Sequence, residues 1–141
     1  MNINLIRIRY KTETIDGVLK IDGIRVCDTA ENVNGAVPAG TYTVFINKCK
    51  QHGRKMICLN PECPCRKCKK LKAVSNNTSM PCYCPQICPG NGVYNRHDGA
   101  ILLGQYLAPG CLIRPLAAFS KVYDRIRMSL SRGHKVKLVV K

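Results

Sequence analysis

Long hydrophobic runs, acidic side chains and aromatic rings are all scarce in this 141-residue sequence. No apolar stretch approaches the ~20 residues that a bilayer-spanning helix needs, so nothing in it reads as a membrane span. Tryptophan is missing and aromatic residues make up 6% of the chain. Tyr83 and Tyr94 are the rings nearest the main basic stretch, which gives stacking of nucleic-acid bases little support. No internal repeat is present. Met1-Asn2-Ile3-Asn4 does not open like a signal peptide, and arginines interrupt the alternating segment that follows. The expectation is a chain that stays where it is made. A reducing compartment would favour metal-bound or free thiols over disulfides.

Acidic residues number 8 against 23 lysines and arginines, a formal charge of +15. Residues 48–72 carry nine of the positive side chains against Glu62 alone, a net of +8. Such a surface attracts polyanions: nucleic acid, an acidic cell-wall polymer or an acidic protein face. Lys67, Lys69, Lys70 and Lys72 are the candidate anion-binding residues. The competing reading is self-compensation, since a zinc ion held by four thiolates carries about −2 overall.

The length suits one domain spanning residues 1–141, and a hydrophobic content of 45% argues against global disorder. Ile3 to Tyr10 alternates, which predicts a half-exposed strand with Ile6, Ile8 and Tyr10 on one face and Arg7 and Arg9 on the other. Asp22-Gly23 between two apolar runs predicts a two-residue hairpin. A turn at Val37-Pro38-Ala39-Gly40 precedes a strand over residues 41–46. Residues 48–89 show neither period and read as a long irregular insertion needing its own staple. Ala100 to Leu103 predicts a short apolar strand, and Pro115 opens a helix with Leu116, Phe119, Tyr123, Ile126 and Leu130 at helical spacing. Gly133 stops it. A final strand follows with Val136, Leu138 and Val140 on one face, placed to close the sheet. The class is α+β, mainly β, with one C-terminal amphipathic helix and a Cys-rich basic insertion.

Ten cysteines are present, and eight lie between residues 49 and 88. Six form the triplets C-P-C-R-K-C (63–68) and C-Y-C-P-Q-I-C (82–88). Zinc takes about four soft ligands in a tetrahedron, and closely spaced thiols on loops can supply them. Cys58, Cys63, Cys65, Cys68, Cys82, Cys84 and Cys88 are the candidate ligands, with Cys49 in reserve. No pair is a clean CxxC matched to another. Metal binding is the favoured reading, with disulfides and free thiols as alternatives. Cys27 and Cys111 stand alone in apolar surroundings and read as small buried hydrophobes. His52 has a bland reading among basic residues with a spare metal-ligand role as its alternative, His97 reads as a surface-turn residue with no nucleophile beside it, and His134 as solvated.

The order of these segments resembles a small phage and bacterial family that is a compact relative of the L,D-transpeptidase (YkuD-type) domain. The residues carrying the resemblance are Leu5-Ile6-Arg7, residues 17–23, residues 26–31 and residues 37–42, then Gly99 to Gly104 and the helix with Ala117-Ala118-Phe119 and Tyr123. It covers both ends of the chain and fails across the insertion. The resemblance implies a small twisted sheet or barrel. The family signature runs approximately I-H-x-G-N, a short loop, then G-C-I-x-x-G, its His and Cys implying base and nucleophile for acyl transfer. Here Ile87-Cys88-Pro89-Gly90-Asn91 puts Cys88 at the histidine, and Gly99-Ala100-Ile101 puts Ala100 at the nucleophile. The site is degenerate at both positions.

The resulting expectation is a non-catalytic structural or binding protein, phage- or mobile-element-encoded, with a zinc-stapled basic insertion. The resemblance implies a virion or injection-apparatus component, a protein partner in an assembly, and residence in the cytoplasm of the producing bacterium before incorporation into a virion. A zinc-dependent nucleic-acid-binding module is the alternative and predicts steeply salt-dependent binding. A surviving peptidoglycan acyl-transfer or hydrolytic enzyme using Cys88 or Cys111 with His97 is the third reading.

Overall fold

The computed structural model describes residues 1–49, 54–59, 86–92 and 100–141. Within them run nine strands and one helix. In chain order they are β1 (Asn2–Tyr10), β2 (Thr14–Ile21), β3 (Ile24–Asn32), β4 (Gly40–Cys49), β5 (Arg54–Cys58), β6 (Gln86–Pro89), β7 (Ala100–Ala108), β8 (Cys111–Ile113), α1 (Pro115–Ser131) and β9 (Val136–Val140). Asp22 and Gly23 both take positive φ, 50° and 84°, the turn geometry that matches the twist of a hairpin. Strands β2 and β3 leave that turn antiparallel, as the sequence predicts.

The strand order is β3-β2-β1-β9-β4-β5-β6-β7, and β3 also pairs with the first half of β7. The eight strands therefore close into a barrel, which leaves no sheet edge among them. The outer half of β7 continues past the seam and turns back as a hairpin with β8. One apolar cluster takes residues from all eight barrel strands, among them Ile3, Leu19, Cys27, Val44, Ile57, Ile87, Leu103 and Leu138. This is the barrel interior. Each fully buried Leu or Ile contributes about 1.5–3 kcal/mol, so the closed wall is held chiefly by what it encloses.

Three sequence expectations change here. Strand β9 lies inside the sheet, parallel to β1 and antiparallel to β4, while β3 and β7 make the closure. Its alternation of Val136, Leu138 and Val140 toward the core is as predicted. On β1 the faces are reversed: Ile3 and Leu5 are buried, Arg7 shares their side, and Ile8 and Tyr10 are 53% and 65% exposed. Register decides this, because Ile3 and Leu5 stand opposite Ile21 and Leu19 on one side and Leu138 and Val140 on the other. Finally, both ends of the expected irregular insertion are regular. Strand β4 runs on to Cys49, and β5 and β6 join the barrel.

The helix forms where Pro115 and the apolar spacing place it, but it buries Val122 and Ile126, while Leu116 is 66% exposed. It ends at Gly133 (φ 77°), whose N–H donates to the Leu130 carbonyl at 3.0 Å. Among the described residues no helix is long and apolar enough to cross a membrane.

Candidate functional site

Strands β6 and β7 run parallel, with Gln86 opposite Ala100 and Cys88 opposite Leu102. Ile87 and Ile101 point into the barrel, so the alternating neighbours Cys88, Ala100 and Leu102 face outward. The two positions that the family signature assigns to base and nucleophile thus lie on one face of adjacent strands. They pack in one cluster with Ala30, Leu102, Leu112 and Tyr106.

That cluster is closed over. Ala100 is 5% exposed and Leu102 1%. Gly90 crosses so close to Leu102 that a Cβ at this position would come within 2.7 Å of its Cδ2. Asn91 then fastens the segment to β8: its carbonyl accepts from the Leu112 N–H at 2.7 Å, and its side-chain amide donates to the Leu112 carbonyl at 3.2 Å. Gly90 and Asn91 therefore pack and fasten this segment. A methyl group at position 100 offers neither an attacking atom nor a proton acceptor.

Cys88 is half-buried and also packs with Met56, which shares a cluster with Cys58 and Phe45. Cys58 is 2% exposed, and its thiol donates to the Met56 carbonyl at 3.7 Å. The two thiols thus share the outward face of neighbouring strands β5 and β6. The remaining expected ligands, Cys63, Cys65, Cys68, Cys82 and Cys84, lie outside the described residues, as do Lys67, Lys69, Lys70, Lys72, His52 and His97. His134 is exposed just beyond α1, as expected. Cys27 is buried as expected, and its thiol is pushed up to about 12, mainly by burial and then by the Asp28 charge. Cys111 is exposed, contrary to expectation, because it opens the short β8 outside the barrel wall.

Strands β2 and β3 carry buried carboxylates that sequence reasoning did not single out. Asp16 and Glu31 are fully buried and Asp28 is 6% exposed. Arg7 grips Glu31 with two charge-assisted bonds, Nε to Oε2 at 2.9 Å and Nη2 to Oε1 at 2.8 Å, and also donates to the Val37 carbonyl. The Glu31 hydrogen bond raises the Arg7 pKa above its ordinary value. Asp16 accepts from Arg9 Nε at 3.1 Å and from the Gly110 N–H at 3.0 Å. Asp28 accepts from Arg25 and from the Tyr106 N–H at 2.9 Å. The Tyr106 hydroxyl sits 2.7 Å from the Gly17 carbonyl and 2.9 Å from that of Thr29, and burial raises its pKa. Asp16, Asp28 and the Tyr106 hydroxyl tie the β7–β8 hairpin to the barrel. The signal for them was present: carboxylates at 16, 28 and 31 interrupt apolar strands, and arginines stand at 7 and 9.

The same pairing shapes the surface. Three of the chain's eight acidic residues are buried and paired with arginines, leaving Glu13, Asp22 and Asp124 as the exposed acids among the described residues. The helix and its flanks expose Arg114, Lys121, Arg125, Arg127 and Arg132, and Asp124 is the acid among them, 4.0 Å from Arg127. A cationic face thus exists outside the insertion. Comparison with protein-family models, curated proteins and solved structures gives no match.

Proposed function

We propose that this chain is a non-catalytic structural or binding protein, a component of a phage- or mobile-element-encoded assembly, that presents a cationic barrel surface to a polyanionic or acidic partner. The burial of Ala100 beside Cys88 carries this reading. At the positions where the L,D-transpeptidase-like resemblance requires an activated thiolate and its base, the wall holds a sealed methyl group and a half-buried thiol. The buried, arginine-paired carboxylates support the binding half, since they leave cations in excess on the outside. The phage setting rests on the family resemblance.

In the same reading, zinc staples residues 48–89. Cys58 and Cys88 fit two of its ligand positions, because they share a face of adjacent strands and present soft donors. Zinc would supply folding free energy to the segment between them, which is rich in thiols and poor in apolar residues.

The test is turnover of peptidoglycan stem peptides, run with metal analysis of protein purified without added zinc. The expected result is no turnover and stoichiometric zinc. Turnover abolished by Cys88→Ser or Cys111→Ser would overturn the non-catalytic reading. Absence of metal together with intact disulfides would remove the staple.

A further inference from the structure

A cleft of about 410 Å³ opens between the start of β3 and the first turns of α1, and Arg25, Arg114 and Lys121 line it together with Cys27, Asp28 and Ala117. Three cations against one carboxylate leave it with a charge of +2. Asp28 is already committed, to Arg25 on one oxygen and to the Tyr106 N–H on the other. Among the described residues neither Arg114 nor Lys121 has an ion-pair partner. Like charges gathered in a concavity repel one another unless an anion sits between them.

The backbone points the same way. Arg114 is the N-cap of α1 and holds a left-handed conformation, φ 52° and ψ 46°, which a non-glycine side chain disfavours. The position is usually taken by a side chain that accepts from the first helical N–H groups, and an arginine has no acceptor to offer. No side chain caps the helix, and no acid stands in its first turn. Pro115 has no N–H, so the Leu116 and Ala117 N–H groups lack intrahelical acceptors, and Ala117 lines the cleft. The cation cluster and Ala117 border one space. The Cys27 thiol, held neutral by burial, adds no repulsion.

We propose that this cleft is a binding site for a phosphate group. Its +2 charge matches a phosphate monoester dianion rather than a single carboxylate, and its arginines can grip two oxygens at once. The proposal does not depend on the β6–β7 positions being inactive, so the two can fail separately.

The experiment is a titration of the full, isotope-labelled chain with inorganic phosphate at constant ionic strength, read by amide chemical shifts, with acetate as the parallel arm. Saturable shifts centred on Leu116, Ala117 and Lys121 are expected. The double variant Arg114→Gln, Lys121→Gln should bind at least about tenfold more weakly. The control Arg127→Gln, Arg132→Gln, in the last turns and C-cap of α1 and away from the cleft, should bind as the parent does. Non-saturating shifts spread over the basic surface would overturn the proposal, as would equal weakening in both double variants. Acetate saturating the same amides as tightly as phosphate would overturn the phosphate assignment in favour of a carboxylate.

Discussion

Arg7 and Glu31 form a two-pronged ion pair on the inward face of the barrel, with side-chain exposures of 8% and 1%. Arg7 continues the row begun by Ile3 and Leu5. The pair therefore ends the apolar interior with two charges that satisfy each other. Removing one partner strands the other charge in a dry setting, and this costs more than the pair itself contributes. Glu31→Gln should destabilise the protein by about 3–5 kcal/mol in urea denaturation. Because pairing raises the Arg7 pKa, its contribution is full below the ordinary guanidinium range and is lost only above it. The gap between variant and parent attributable to Arg7 ionisation should accordingly be flat from about pH 7 to about pH 10. A gap that closes within that window would contradict the assignment.

Gly104 and Gly90 are expected to tolerate alanine differently. A Cβ at Gly104 would meet the Leu112 Cβ at 2.7 Å and the Ile113 carbonyl at 3.0 Å, both close to the main chain. At Gly90 the obstruction is the Leu102 side chain alone. Gly104→Ala should cost about 1–3 kcal/mol, the usual range for overpacking, and Gly90→Ala less. Thermal denaturation of the two variants checks the order. Equal costs would mean that β8 moves as freely as a leucine side chain.

Cys27 and Cys111 should separate cleanly in thiol labelling of the native protein. Cys111 is exposed and should react, whereas Cys27 is buried with its pKa raised from 9.0 to about 12 and should not. The same shift sets an alkaline limit on stability. The unfolded thiol ionises first, so the contribution of Cys27 is complete below pH 9.0 and falls away as pH rises toward about 12. Its upper bound is about 4 kcal/mol. Cys27→Ala should flatten the alkaline stability curve but not level it, because Tyr106 is raised as well. An unchanged curve would discount the burial of the thiol.

Val122 and Leu116 test which face of α1 is held. Val122 is fully buried and Leu116 is 66% exposed. Val122→Ala should lose about 2 kcal/mol, and Leu116→Ala should change stability by less than about 0.5 kcal/mol. The reverse order would restore the face that the apolar spacing alone suggests.

Much of the outline was legible residue by residue. Asp22-Gly23 specified a hairpin because these two residue types readily take the positive φ that a tight two-residue turn needs. Pro115 and Gly133 marked the ends of the helix by their backbone preferences, and Val136, Leu138 and Val140 announced a one-sided strand. The ends of the 48–89 segment were not legible. Strands of four and five residues give too few alternations to stand out among prolines and cysteines. The face of β1 was misread because both of its alternating rows carry apolar residues. Only pairing with β2 and β9 shows which row the core takes.

The sequence by itself determined the mainly β character, the hairpin, the helix boundaries, the excess of positive charge and the alanine at position 100, since each of these is local or compositional. Tertiary structure decided that β3 and β7 close a barrel and that β9 inserts between β1 and β4. It also brought Cys88 and Ala100 onto one face, and buried Asp16, Asp28 and Glu31 against arginines. The physical reason is common to all of these. Pairing between strands distant in the chain is selected by the shared burial of side chains and charges, and that burial exists only after the barrel has closed.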